Sequence, residues 1–375
     1  MGKILTSPMP YLSMVSILIV NYNSLKYLKS CIESIRNYQD NLSVEIIVVD
    51  SGSKKEERES IAKLNSKGIK VYINDTNVGY AKGNNQAFSL SKGEFILVLN
   101  PDTKLLDNAL NKMVSYLKDN SKVAAVTPRI WWDDDKLFQL PPSLSITFWE
   151  TVMIGLALSN HFVRNLMDKW WLKKELDYWQ AEKAMEISTL SGACFLTRRS
   201  ILKKYGFFDE GFPLYFEDND WCKRLKKNKE KLIYLPSAEI IHYYNQTTTH
   251  SPSDAQEKFA FSMRRFFLKH YGKKTTNLLM KLLNFFSSHP AKWEGKDLGI
   301  LSLPFEFNMI KEKGPYLVQI SPNPHFIPSV GAFTNSLPLR LSNTLWSSIA
   351  KGTYFSRIIT LNKMKIFNNS KWYKL

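Results

Sequence analysis

The chain has 375 residues, 44% of them hydrophobic, which is ample for a core and excludes global disorder. A formal net charge of +17 implies an anionic partner: nucleotide phosphates, nucleic acid or an anionic membrane face. Three scattered cysteines, Cys31, Cys194 and Cys222, form neither a zinc pattern nor a disulfide framework and suit a reducing compartment.

No segment reaches the roughly 18 consecutive apolar residues of a membrane span. The nearest, Thr147 to Ser159, is short and carries Glu150. Pro8 and Pro10 break the N-terminal stretch before an apolar signal segment forms, and the match of Met1-Gly2 with Thr6 to a myristoylation pattern is too short to carry weight. The expected location is the cytosol, with attachment to a membrane surface left open.

Residues 1 to 13 read as an irregular lead-in. Met14 to Val20 is an apolar run of buried-strand length, ending in Asn21-Tyr22-Asn23-Ser24. Leu25 to Tyr38 has helical spacing, with Leu25, Leu28, Ile32 and Ile35 on one face. Val44 to Val49 is a second strand, closed by Asp50-Ser51-Gly52-Ser53 and followed by a charged helix to about Ser66. Ile69 to Ile73 is a short third strand, and Asn77-Val78-Gly79-Tyr80-Ala81-Lys82-Gly83-Asn84-Asn85 opens a helix to about Leu90. Phe95 to Leu99 is a further buried strand, stopped by Asn100-Pro101-Asp102. A helix from Asp107 to Lys118 and a strand from Lys122 to Thr127 follow. The alternation predicts an α/β fold: βαβ units and a mostly parallel sheet with helices on both faces. The polar strand ends should then converge beyond the carboxyl edge of the sheet, where such sheets bind ligands. Asp102 there is either a ligand for a hard divalent cation or a helix cap. Asp50 is either a ribose-binding acid or a turn residue. No G-x-G-x-x-G follows the first strand and no G-x-x-x-x-G-K-[ST] occurs, which argues against a dehydrogenase and a P-loop NTPase.

From Arg129 to about Glu186 regularity is lost. Trp131, Trp132, Trp149, Trp170, Trp171 and Trp179 interleave with lysines, and helical spacing extends from Ile146 to Lys174. Such helices suit a membrane interface or a lid. Ile187 to Thr197 reads as one strand in which Gly192 and Ala193 permit close approach of another group. Arg198 to Tyr205 is a short basic helix. Glu217, Asp218 and Asp220 then lead a helix whose later turns are basic, the order its dipole favours. They sit among Tyr215, Phe216 and Trp221, whose aromatic walls would raise a carboxyl's pKa and make a better general base. Leu232 to Leu235 is a strand, and Ala238 to Ile241 leads to His242. Phe259 to Leu283 reads as one or two helices with a basic surface. Beyond Pro290, Leu301 to Asn308, Tyr316 to Ser321, Leu337 to Leu341 and Thr353 to Leu361 read as short strands of a small β-sandwich.

The order of these motifs resembles family 2 glycosyltransferases of the GT-A fold, closest to the bacterial rhamnosyltransferase-like branch. It rests on Val20-Asn21-Tyr22-Asn23, Val49-Asp50-Ser51-Gly52-Ser53, the Asn77 to Asn85 run, Leu99-Asn100-Pro101-Asp102, Ser191-Gly192-Ala193-Cys194, Gly206-Phe207-Phe208-Asp209-Glu210, Phe216-Glu217-Asp218-Asn219-Asp220 and His242. The resemblance implies a transferase domain over residues 14–290, with a variable insertion at 129–186 and a helical extension at 255–290. The β-rich remainder, 296–375, loosely resembles a fibronectin type III module. It further implies that Asp50, framed by Val20, Asn21, Tyr22 and Asn23, binds the base or ribose, while Gly79, Tyr80, Asn84 and Asn100 line nucleotide and donor sugar. Asp102 and His242 would hold Mg2+ or Mn2+ at the diphosphate. Asp218 would be the base, with Asp220 its rival and Glu217 beside them, and Gly192, Ala193 and Trp221 would face the acceptor. Three positions depart from the family pattern: Asn100 for the first Asp of its D-x-D, Ser51 for an Asn, and Trp221 for an aliphatic residue.

The implied reaction is an inverting transfer of a sugar, L-rhamnose from dTDP-rhamnose by branch, to a saccharide or lipid-linked acceptor in surface polysaccharide synthesis. The competing readings are a family member that binds without turnover and acts as a scaffold, and a nucleic-acid-binding protein. No nucleic-acid module's motif is present.

Overall fold

The computed structural model describes residues 14–38, 42–66, 68–243 and 252–375; the lead-in expected over residues 1 to 13 lies outside the described residues. The first half alternates as read: β1 (Met14–Asn21), α1 (Leu25–Asn37), β2 (Ser43–Ser51), α2 (Lys55–Ala62), β3 (Ile69–Asn74), α3 (Tyr80–Leu90) and β4 (Phe95–Leu99). These strands pair in parallel in the order β3-β2-β1-β4. Every residue of β4 is buried, as a strand covered on both faces requires. Leu28, Cys31, Ile32 and Ile35 form the buried face of α1.

The chain continues through β5 (Thr103–Leu105), α4 (Ala109–Asp119), β6 (Val123–Trp131), α5 (Phe148–Ser159), α6 (His161–Trp179), β7 (Met185–Ile187), β8 (Cys194–Arg198), α7 (Arg199–Tyr205), α8 (Glu217–Lys227), β9 (Lys231–His242) and α9 (Pro252–Ser288). The central sheet has nine strands, ordered β3-β2-β1-β4-β8-β6-β9-β5, with β7 paired to β9. β8 is antiparallel to both β4 and β6, so β6 points the way β4 does, and β9 is parallel to β6. β1, β2, β3, β4, β6 and β9 therefore run one way, and β5, β7 and β8 run the other. The sheet is mostly parallel, and its β3-β2-β1-β4 half is wholly so.

Two expected boundaries move. The single strand expected over Ile187 to Thr197 is two strands, β7 and β8, because Ser191 to Ala193 leave the ladder for other partners. The two segments expected around Pro236 are one strand, β9. Its pairing jumps from Pro128↔Leu235 to Arg129↔Glu239, leaving Pro236, Ser237 and Ala238 as a bulge where the two prolines supply no N–H. Helix α9 is two helical segments meeting at Gly272, whose φ of 79° is left-handed.

The C-terminal part comprises β10 (Lys296–Leu301), β11 (Glu306–Phe307), β12 (Tyr316–Ser321), β13 (Val330–Thr334), β14 (Leu339–Arg340), α10 (Asn343–Ser348), β15 (Gly352–Thr360) and β16 (Lys365–Lys374). It forms a five-stranded sheet, β10-β16-β15-β12-β13, and a two-stranded ladder, β11-β14. Trp372 stacks on Phe305 and Tyr354 at its centre. This part is continuous with the rest, since Gln139 and Gly331 exchange backbone hydrogen bonds of 2.8 and 3.1 Å. Beneath α6, the fully buried Glu175 accepts from Trp171 Nε1 (2.8 Å), Ser329 Oγ (2.8 Å) and Gln319 Nε2 (2.8 Å). Arg357 donates to Gln319 Oε1 (2.7 Å) and makes a bidentate pair with Asp168 at 2.6 and 2.8 Å.

Candidate active site

The ends of β1 and β2 are locked together. Asn21 Nδ2 donates to Asp50 Oδ1 (3.0 Å) and Ser53 Oγ (3.2 Å), and Ser53 donates to Asp50 through its N–H (2.9 Å) and hydroxyl (2.5 Å). Asn21 and Asp50 are fully buried. Asn23, at φ 49°, accepts the Lys54 N–H, and its own N–H donates to Ser53 Oγ. These residues close two adjacent turns as one unit and leave Tyr22 partly exposed. Val20 packs so tightly on Gly83 of α3 that a Cβ there would lie 2.8 Å from Val20 Cγ1.

Helix α3 begins at Gly79, whose φ of 84° and whose 2.9 Å clearance from the Pro213 carbonyl admit no side chain. Ser51, the departure from the family's usual Asn, contacts Asn77 Oδ1 and accepts the Val78 N–H, which steadies the approach to this helix. Tyr80 donates its hydroxyl to the Gly192 carbonyl at 2.7 Å. Burial, then the charges of Glu217 and Asp218, push the Tyr80 phenol well above its ordinary value, so it stays a donor. Buried Asn84 donates to the Tyr80 carbonyl, while its Oδ1 has no partner among the described residues.

At the end of β4, Asn100 donates its N–H to the Ala193 carbonyl (2.8 Å), and its side-chain oxygen has no partner among the described residues. The register of β5 on β9 pairs Thr103 with His242. That pairing sets buried Asp102 Oδ1 3.3 Å from buried His242 Nε2. Two donors at adjacent vertices of an octahedral Mg2+, each ~2.1 Å from it, would stand ~3.0 Å apart. The separation is that of two ligands of one divalent cation, a carboxylate oxygen and an imidazole nitrogen, as well as that of a direct ion pair. Among the described residues no group of three or more His, Cys, Asp or Glu could hold a metal, so the remaining ligands would come from the bound molecule and water.

The acids of α8 follow two consecutive aromatic residues in left-handed backbone, Tyr215 (φ 64°) and Phe216 (φ 67°). Such positions cost about 1–3 kcal/mol each and persist where packing imposes them. Here Phe216 is clamped between Phe259 and Phe266 at 5.2 and 5.7 Å, and Ser262 donates to the Leu214 carbonyl. The strained turn delivers Glu217, Asp218 and Asp220 into the first turn of α8.

The three acids have different fates. Glu217 is buried, and its Oε2 has no partner among the described residues; burial, then the Asp218 charge, push its carboxyl up to about 8. Asp218 is half-buried and accepts from the Gly192 N–H at Oδ2 (3.0 Å) and from Asn219 at Oδ1 (2.7 Å from N, 3.1 Å from Nδ2). Burial raises its pKa above the ordinary carboxylate value against those hydrogen bonds. Asp220 is fully buried and held by Arg224 Nε (2.9 Å), Lys269 Nζ (2.7 Å) and His270 Nε2 (2.8 Å). Burial would raise its carboxyl, but these partners outweigh burial and hold it far below the usual range. A carboxylate so engaged is a poor base, and the geometry favours Asp218 over its rival.

Trp221, expected on the acceptor side, is instead fully buried: it stacks on Phe195 at 5.0 Å and donates to the Gly206 carbonyl. The helix turn that leaves Asp218 half-buried points position 221 into the core. His270, Lys269 and Arg265, which govern Asp220 and its neighbour Asp209, carry no local motif; the fold of α9 over α8 brings them in.

Gly192 and Ala193 join the remaining parts. Through backbone alone they bind Asp218 (Gly192 N–H to its carboxylate), the α3 tyrosine (Gly192 C=O from Tyr80) and the end of β4 (Ala193 C=O from Asn100). A side chain at 192 would press on Asp218, its Cβ 3.1 Å from Oδ2.

Glycosyl transferase family 2 matches residues 16–206. An N-acetylglucosaminyl-diphospho-decaprenol L-rhamnosyltransferase of Mycobacterium tuberculosis is 25% identical over 160 residues, 43% of this chain and 50% of that protein, so the match spans half the length of that relative. The rhamnosyltransferase WbbL of Escherichia coli is 26% identical over 245 residues, 61% of this chain and 83% of that one. Among solved structures, a mannosyltransferase of Pyrobaculum calidifontis in complex with GDP-Man and Mn2+ is similar at TM-score 0.44 and 14% identity, over 76% of this chain and 77% of that one. With the family match covering half of its length, the chain belongs to glycosyl transferase family 2.

Proposed function

We propose that this protein transfers a sugar from a nucleotide-sugar donor to an acceptor hydroxyl with inversion at the anomeric carbon. The observation that carries the reading is the Gly192-Ala193 junction, which ties a half-buried carboxylate of raised pKa to the end of β4, beyond which Asp102 meets His242 of β9. Asp218 takes the proton of the acceptor hydroxyl as its oxygen attacks the anomeric carbon in line, and the bond to the diphosphate oxygen breaks. Burial raises the carboxyls of both Glu217 and Asp218, so the two neighbours take up and release protons as a pair. Asp102 and His242 would hold a divalent cation, which when bound neutralises charge on the leaving diphosphate. The Asn21–Asp50–Ser53 unit shapes the nucleotide side, with partly exposed Tyr22 available to the base.

The names of the relatives favour L-rhamnose as the sugar and, in one of them, a lipid-diphosphate-linked acceptor; dTDP-rhamnose as donor and a saccharide acceptor in polysaccharide synthesis follow from the family resemblance. An anionic membrane face is a further partner. Trp149 (73% exposed) and Phe162 (78% exposed) project from α5 and α6, and Lys174 lies 3.7 Å over the Trp170 ring. No helix among the described residues is long and apolar enough to cross a membrane.

A thermal-shift screen of nucleotide sugars with and without Mn2+ tests the donor reading, because a ligand of the folded state raises Tm. A dTDP-sugar is expected to raise Tm only with the cation, and Asp102→Ala to abolish the cation's contribution. An Asp102→Ala variant with the same Mn2+-dependent shift as the parent would remove the metal role.

A further inference from the structure

On the outer side of α9, Phe261, Arg264, Arg265, Leu268 and Lys269 recur at the three- and four-residue spacing of one helix face. With Asp209, they line a groove of about 580 Å3. Its walls are of two kinds. Phe261 is 57% and Leu268 38% exposed, although the neighbouring Phe266 and Phe267 are in the core. Between these apolar walls stand three cations against one carboxylate.

The cations are not used up by that carboxylate. Arg265 Nη2 lies 3.0 and 3.2 Å from the two Asp209 oxygens, but its buried Nε has no partner among the described residues. The guanidinium is held over the Phe212 ring (5.3 Å) and against Gly211, where a side chain would collide with it. Arg264 is exposed and forms no ion pair among the described residues. Lys269 Nζ bridges Asp209 Oδ2 and Asp220 Oδ1, 2.7 Å from each, and so links the groove to the helix turn that bears Asp218.

Guanidinium donors suit a phosphate group. A free phosphate would leave Phe261 and Leu268 in water, whereas a hydrocarbon chain attached to it would cover them. We infer that this groove binds a long-chain lipid phosphate, its head on Arg264 and Arg265 and the first part of its chain on Phe261 and Leu268. The assignment deepens the transferase reading by making this ligand the carrier end of a lipid-linked acceptor. It rests on that reading only for the word acceptor, since binding is measured without turnover.

The test uses the whole chain and farnesyl phosphate, farnesol and inorganic phosphate as probes, titrated calorimetrically below the aggregation limit of the lipid. Farnesyl phosphate is expected to bind at least tenfold more tightly than either farnesol or phosphate. Arg264→Glu and Leu268→Asp, both at exposed positions, should each weaken it tenfold or more. The Mn2+-dependent thermal shift from a dTDP-sugar serves as the independent readout in each variant and should persist. Farnesyl phosphate affinity unchanged in both variants, or inorganic phosphate binding as tightly as the lipid, would overturn the assignment. Absence of any nucleotide shift in the parent chain would instead count against the transferase reading, with the groove result still standing.

Discussion

Glu217 and Asp220 lie three positions apart in one helix turn, and their surroundings drive them in opposite directions. Glu217 is buried beside a like charge, whereas Asp220 is buried among Arg224, Lys269 and His270. For Glu217 the folded-state pKa, about 8, lies above its ordinary value of 4.5, so the folded chain holds the proton more tightly than the unfolded one. Its contribution to stability therefore falls as pH rises between those values. Glu217→Gln should stabilise the protein by about 1–3 kcal/mol at pH 8 and by little near pH 4, as read from denaturant midpoints at the two pH values. An equal effect at both would show that the carboxyl titrates normally. Asp220 has the opposite sign: its stabilisation is present above the ordinary carboxylate range and is lost only in strong acid. The presence of three acids was legible in the sequence. Their separate roles were not, because His270 and Lys269 lie some fifty positions downstream and no local pattern marks them.

At the scale of elements, strand ends were the legible part and their partners the hidden part. The apolar runs of β1, β2 and β4 and the polar residues that stop them could be read directly, since buried parallel strands leave little choice of composition. The bulge at Pro236 and the break between β7 and β8 were not legible, because both depend on which strand lies alongside. Tryptophans of the insertion read equally as a lid or as a membrane contact. The structure divides them, burying Trp171 and Trp179 and exposing Trp149. Helix α6 is also welded to the C-terminal sheet through Glu175, Gln319, Arg357 and Asp168. Asp168→Ala would leave the buried Arg357 guanidinium without its bidentate partner and is expected to cost about 3–5 kcal/mol. A denaturant midpoint equal to the parent's would show that the weld does not hold the two parts together.

Across the whole molecule, the +17 charge meets apolar side chains exposed on α5, α6 and α9. Such side chains should bring the protein to anionic bilayers. Flotation with vesicles containing anionic lipid is expected at low salt and should fall with rising salt; Trp149→Ala together with Phe162→Ala should reduce it severalfold. Flotation indifferent to lipid charge would remove the electrostatic half of that reading. At the centre is the claim that Asp218, held by the Gly192 N–H and raised by burial, deprotonates the acceptor. The decisive measurement is sugar transfer by Asp218→Asn beside its Mn2+-dependent binding of the nucleotide diphosphate. Loss of at least about 100-fold in kcat, the scale of general-base catalysis, with nucleotide affinity within about threefold of the parent is the predicted result. Turnover near that of the parent would contradict it.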